Sequence, residues 1–170
     1  AKLNNLKQAA KTMNFLTEHG IRNYGELESK LTALSARRDT AHAEIKRIES
    51  RSAELALVMK HAGTYRQLKP LYERYRKSND KEKFLRGHES EIILFEAAAR
   101  ELKRLGAVPL PTTESMKKEL ANLTAEKERL LAEYKAARTE AQEYDTVKQN
   151  VDALLTVPKE QEQQRRHELE

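Results

Sequence analysis

Residues 26–62 read ELESKLTALSARRDTAHAEIKRIESRSAELALVMKHA. Within them Leu27, Leu31, Leu34, Arg38, Ala41, Ile45, Ile48, Ser52, Leu55, Met59 and Ala62 succeed one another in alternating steps of four and three. That alternation holds one narrow stripe on the same side of a helix, the seam repeat of coiled coils. A second seam obeys the same rule with one slip near Val147: Met116, Leu120, Leu123, Lys127, Leu130, Tyr134, Ala137, Ala141, Tyr144, Val147, Val151 and Leu154. A seam of about 40 residues is roughly 60 Å long at 1.5 Å per residue, and neither seam is suited to stand alone in water. The pattern predicts that the two bury each other as an antiparallel pair within one chain, with facing position numbers summing to about 181. In that register Arg38 lies near Glu143 and Tyr144, and Ser52 near Lys127 and Leu130. A parallel homodimer, which uses the same heptads, is the rival. Arg38 and Lys127 read as register-setting polar residues whose stems lie along the seam.

Outward from the seams, breaks divide the chain. Leu6, Ala9, Ala10, Met13 and Leu16 form a helical stripe that Gly20 ends as a C-cap, making 1–22 an N-terminal helix with its connector; Asn23 is a candidate N-cap. Gly63 and Pro70 interrupt the pattern after Ala62, and a proline inside a helix removes a hydrogen bond, so a kink or break is expected between Ala62 and Leu71. Residues 78–87 then turn, with a short helix around 81–86. Residues 89–105 read as a mostly buried helix carrying Ile92, Ile93, Leu94, Phe95, Ala98 and Leu102, closed by Gly106. Val108-Pro109-Leu110-Pro111 reads as an extended linker, with Thr112 or Thr113 as the N-cap of the second long helix. The expected organisation is an elongated helical domain over 23–155: a long helix at 26–62, a helical cluster at 63–106, a linker at 107–112 and a long helix at 113–155. Residues 156–170 hold almost no apolar side chain and are expected to be a disordered tail. The fold class is all-α: a long antiparallel coiled-coil hairpin with a small helical cluster at one end.

Composition agrees. Only 38% of the 170 residues are hydrophobic, below the roughly 45–50% of ordinary globular domains, while 35% are charged and only 5 Gly and 4 Pro occur. No apolar run nears the roughly 18 residues of a membrane span, so a soluble, cytoplasmic protein with no membrane partner is expected. The absence of Cys excludes disulfides, thiol catalysis and Cys–zinc sites. The chain starts at Ala1 rather than Met, which reads as a piece of something longer.

Catalytic chemistry finds little footing. His19, His42, His61, His88 and His167 stand too far apart for a local metal motif, and His88-Glu89 lacks the second His of a zinc site. There is no glycine-rich phosphate loop, no nucleophile elbow and no carboxylate pair in an apolar setting. No catalytic residue, metal or cofactor is expected. One segment stands out: between Lys60 and Arg86 nine bases face three acids, whereas the whole chain is only +5. Arg66, Lys69, Arg74, Arg76, Lys77, Lys81, Lys83 and Arg86 are candidate nucleic-acid-binding residues, with Tyr65, Tyr72, Tyr75 and Phe84 interleaved for stacking on unpaired bases. The competing reading makes the rings core and the bases their solvated flank.

Three blocks resemble a known family. They are Lys11-Thr12-Met13-Asn14-Phe15-Leu16-Thr17-Glu18-His19-Gly20-Ile21 with Tyr24-Gly25-Glu26-Leu27 after it, then Lys83-Phe84-Leu85-Arg86-Gly87-His88-Glu89-Ser90-Glu91-Ile92, and finally Val147-Lys148 with Asn150-Val151-Asp152. Together they resemble the C-terminal helical region of mobilisation relaxases, the nicking proteins of conjugative transposons and mobile plasmids. Nothing here matches the relaxases' N-terminal catalytic domain, with its active-site Tyr and clustered His. The resemblance therefore implies a non-catalytic portion and leaves open whether it contacts DNA, a conjugation accessory protein or the transfer machinery; the expected function is a module that holds DNA, single-stranded or at the transfer origin, or a transfer partner. The alternative is a structural coiled-coil spacer or oligomerisation module with no nucleic-acid role.

Overall fold

The computed structural model describes the backbone of residues 2–167 and the side chains of residues 2–156. Among the described residues there are four helices and no strand: α1 (Lys2–Glu18), α2 (Tyr24–Lys77), α3 (Lys81–Arg104) and α4 (Thr113–His167). The fold is all-α, and no helix of the described residues is long and apolar enough to cross a membrane. The chain divides into two compact units, one of Ala1–Ala43 with Leu130–Glu170 and one of Glu44–Arg129.

The helix ends are written in local chemistry. Gly20 and Gly106 take φ of 68° and 70°, the left-handed region that costs a side chain energy and glycine almost nothing. Just past each glycine an amide reaches back along the helix, Ile21 to the Leu16 carbonyl and Ala107 to the Leu102 carbonyl, both at 2.9 Å. This closes the orphan carbonyls in a Schellman motif and folds an apolar residue onto the turn it leaves. At the starts, the side chains of Asn23, Asp80 and Thr112 accept from the amides of Glu26, Lys83 and Ser115. Thr112, not Thr113, is the cap of α4.

In the unit built from the first 43 residues, α2 and α4 run antiparallel. Tyr24 meets Asp152, Lys30 meets Glu140 at 3.6 Å, and Arg37 meets Glu133 at 3.2 Å. The core between them holds Leu27, Leu34, Ala141, Tyr144 and Val147. Helix α1 joins by an unexpected face. Leu6 and Met13, on the anticipated stripe, are exposed, whereas Thr12 is buried. Polar contacts set this rotation: Gln8 Nε2 donates to Asn150 Oδ1 at 2.6 Å, and Asn150 Nδ2 donates to Thr12 Oγ1 at 3.4 Å. One turn on, the Phe15 ring sets itself edge-on to Tyr144 at 5.1 Å.

In the unit of Glu44–Arg129, α2 and α4 are again antiparallel, with Lys127 on Glu49 at 3.0 Å, Arg51 on Glu119 at 2.7 Å, and Arg66 on Thr113. Leu55, Val58, Ala62, Leu102, Ala107 and Met116 form the core. Val58 is buried and Met59 sits at the margin, so the seam changes phase here, where α2 meets α3 as well as α4.

Several expectations need correction. Helix α2 does not break between Ala62 and Leu71: it runs through Gly63 and Pro70 to Lys77. Both residues are exposed, as is Arg66, whose carbonyl the missing amide of Pro70 leaves without its helical donor but open to solvent. The first fifteen residues of the expected 63–106 cluster, 63–77, therefore belong to the long helix. Helix α3 does carry the anticipated interruption, with non-helical angles at His88 (φ −139°, ψ 23°). It is not buried all round: Ile92, Phe95, Ala98 and Leu102 face inward, while Ile93 and Leu94 are more than half exposed. Residues 156–167, expected as disordered tail, continue α4; Glu, Gln, Lys and Arg are strong helix formers that extend an existing helix without an apolar face. The tail's last three residues, 168–170, lie outside the described residues. Finally, the cross-helix pairs above and the His42–Tyr134 ring contact join positions summing to between 170 and 179 rather than about 181. Arg38 accordingly bonds Asp39 at 2.9 Å and not Glu143.

Two measurements test this packing. Ile48 is fully buried whereas the Arg38 side chain is 37% exposed, with Asp39 as its ion-pair partner among the described residues. Ile48→Ala is expected to lower unfolding free energy by about 2–5 kcal/mol, and Arg38→Leu to leave it unchanged or raise it by up to about 1 kcal/mol, in urea titrations. The second concerns Asp152, which accepts from the Tyr24 hydroxyl at 2.7 Å and pairs with Lys148 at 3.2 Å. These contacts hold its carboxyl below the ordinary carboxylate range, and hydrogen bonds to Tyr24 and Asp152 raise Lys148 to about 12. A depressed carboxyl contributes stability that is full above its unfolded value and is lost as pH falls through its folded one. Stability is therefore expected to fall below about pH 4, and Asp152→Asn to be less stable at neutral pH with a shallower acid decline.

Candidate nucleic-acid interface

All eight candidate bases are exposed and lie on one helical hairpin: Arg66, Lys69, Arg74, Arg76 and Lys77 on α2, and Lys81, Lys83 and Arg86 on α3. The turn Ser78-Asn79-Asp80 joins them. It is fixed by the Ser78 hydroxyl donating to the Asp80 carbonyl at 3.1 Å and by the Asp80 cap. The two arms are held together by rings. Tyr65 and Tyr72 stack on Phe95 with centroids 4.8 and 4.3 Å apart, Tyr75 approaches Phe84 at 6.0 Å, and Phe84 approaches His88 at 4.7 Å. Such offset aromatic pairs add to the apolar area they bury.

The structure sorts the bases into two groups. Arg66, Arg74 and Arg86 have partners. Arg66 donates to Thr113 Oγ1 at 2.7 Å and to the Pro111 carbonyl at 2.5 Å, tying the linker to α2. Arg74 lies over the Phe84 ring at 5.7 Å, and Arg86 is 3.6 Å from Glu82. Lys69, Arg76, Lys77, Lys81 and Lys83 make no hydrogen bond or ion pair through their side chains among the described residues. Arg74, Arg76 and Lys77 suit the last turn of α2, where the helix dipole favours cations. Lys81 and Lys83 stand in the first turn of α3, where the dipole disfavours them and only Asp80 and Glu82 offset it. Helix stability therefore does not account for these two lysines.

The rings are less free than the sequence reading allowed. Tyr72 and Tyr65, core in the competing reading, each turn one face to Phe95. Beside them runs an open groove of about 350 Å³. Its charged lining is Lys69 and Arg76 with Glu73 and Glu96, so it has no net charge and is not itself an anion site. The uncompensated positive charge lies at the turn and on the two helix ends that flank it.

The blocks that carry the family resemblance also meet in part. Thr12 meets Asn150, which also takes Gln8 from outside the blocks, and Tyr24 meets Asp152, itself paired with Lys148, giving two polar sets in the unit that holds the first 43 residues. Spacing alone gives no sign of them, because the contacts between helices join positions more than 120 residues apart. Among the described residues, no three His, Asp or Glu side chains gather as a metal-binding group. Compared with protein-family models, curated proteins and solved structures, the chain matches none.

Proposed function

We propose that the chain is a non-catalytic helical module of a DNA-mobilisation relaxase, acting in the cytoplasm, that holds nucleic acid by its phosphates at the α2–α3 turn during conjugative transfer. The supporting observation is the set of five cations on one hairpin whose side chains make no hydrogen bond or ion pair among the described residues, two of them placed against the dipole of the helix that bears them. Cations held near a polyanion release condensed counterions, which gives affinity without base readout. The ring ladder supplies rigidity, since its inward faces are occupied. Conjugation accessory proteins are the other partners this reading admits. The spacer alternative draws on the ion pairs that hold α2 to α4 within each unit, an arrangement that needs no ligand.

Electrophoretic mobility shifts with single- and double-stranded DNA of unrelated sequences test the reading. The chain is expected to bind both at low salt and to lose affinity steeply as salt rises. Replacing Arg76, Lys77, Lys81 and Lys83 with Gln is expected to weaken binding by a similar factor for every sequence. It should also flatten the plot of log K against log salt, by up to about three units for single strands and nearly four for duplex. Arg66→Gln, which removes a linker contact, is expected to change stability more than the salt slope. No shift at low salt, or an unchanged slope in the fourfold variant, leaves the spacer.

A further inference from the structure

Helix α1 has two faces. One carries Thr12, Phe15 and Leu16 into the core. The other carries Leu3, Leu6, Ala10 and Met13 at steps of three, four and three, and it is left to solvent: Leu3 is 66%, Leu6 69% and Met13 59% exposed. Turning α1 about its axis would bury this stripe, but the Gln8–Asn150–Thr12 hydrogen bonds hold the polar face inward. An apolar stripe kept outside by polar contacts is a surface prepared for another molecule rather than scattered exposed side chains.

Its spacing says what shape fits. With Leu3 and Met13 at a and d positions, the stripe is the narrow seam of a coiled coil, not the broad apolar face of a helix lying on lipid. Its charge says what chemistry fits. Lys2 then occupies a g position and Lys7 the e position five residues on, with Lys11 nearby; none of the three makes an ion pair among the described residues, and Glu18 is the only acid of α1. In a parallel pair of identical chains, g faces the e position five residues along the partner, so Lys2 would confront the other copy's Lys7. A second copy is disfavoured by like charge and an acid-flanked helix is favoured.

We propose that the outward face of α1 is a docking seam for one amphipathic helix of another protein, with apolar a and d positions and Glu or Asp at e and g. The seam is on a different helix from the nucleic-acid contact and does not depend on it.

The test uses two labelled peptides of about three heptads, both with Leu at a and d, one with Glu and one with Lys at e and g. Fluorescence anisotropy with the full chain, in the absence of nucleic acid, is expected to show the Glu peptide binding at least about tenfold more tightly. The variant Lys2→Glu/Lys7→Glu should reverse that preference, and Leu6→Ser/Met13→Ser should abolish binding with an unchanged circular dichroism spectrum. Equal binding of the two peptides, or none of the Glu peptide, overturns the proposal. So does Leu6-dependent capture by vesicles of phosphatidylserine and phosphatidylcholine, which makes α1 a lipid-surface helix. Self-association that Leu6→Ser/Met13→Ser removes overturns it too, in favour of a second copy.

Discussion

A stripe of two apolar residues in every seven is too narrow to make a core alone, and this constraint organises both units. Each stretch of α2 must meet another narrow stripe, and α4 supplies it in antiparallel sense. Where the stripes carry small residues such as Ala41, Ala137 and Ala141, the residues are nearly fully buried and leave little volume to fill. At Tyr144 the pair admits a third helix, taking Phe15 from α1, and beyond the first seam Tyr65 and Tyr72 take Phe95 from α3. The charged rim then selects among registers, because Arg and Lys on one helix reach Glu on the other only at certain offsets.

Both seams and the caps at Gly20, Asn23 and Gly106 were legible in the sequence, because each depends on residues within one or two turns, whereas the Asp80 cap of α3 was not named from it. Leu27, Leu34, Ile48 and Leu55 on one helix, and Met116, Leu130 and Tyr144 on the other, are buried where the three-four alternation puts them. Gly20 and Gly106 end helices for a reason visible in a single residue. What was not legible depends on the environment of a residue rather than its type. Pro70 interrupts a helix when the carbonyl it orphans, that of Arg66, is shut away from solvent, and here both residues lie on an exposed face. Ile93 and Leu94 looked like core because they adjoin Ile92 and Phe95, yet a helix packed on one side has room for only part of an apolar run. The rotation of α1 was hidden for another reason: the face that packs mixes Phe15 and Leu16 with the Asn150 contacts of Gln8 and Thr12, so no single apolar stripe marks it.

The basic segment was visible as a count, but a count cannot separate a cation that braces the fold from one that is free. Arg66 belongs to the first kind, holding the Pro111 carbonyl and the Thr113 hydroxyl at the start of α4. Lys81 and Lys83 belong to the second, and their position at the positive end of a helix is what distinguishes them from ordinary solvated charge. Ring placement was half readable in the same way. Helical spacing put Tyr65 and Tyr72 on one side of α2, but only the arrival of α3 brought Phe95 against both.

The tyrosines that shape these contacts also make the chain its own optical probe. It has 6 Tyr and no Trp, so phenol emission is not masked by indole. Tyr65, Tyr72 and Tyr75 belong to one unit and Tyr24, Tyr134 and Tyr144 to the other. The first three are coupled to one another or to Phe rings, whereas the Tyr24 hydroxyl donates a hydrogen bond to a carboxylate, an acceptor that quenches phenol emission. Loosening of one unit and loosening of the other should thus change the intrinsic signal in different ways, without any label being attached.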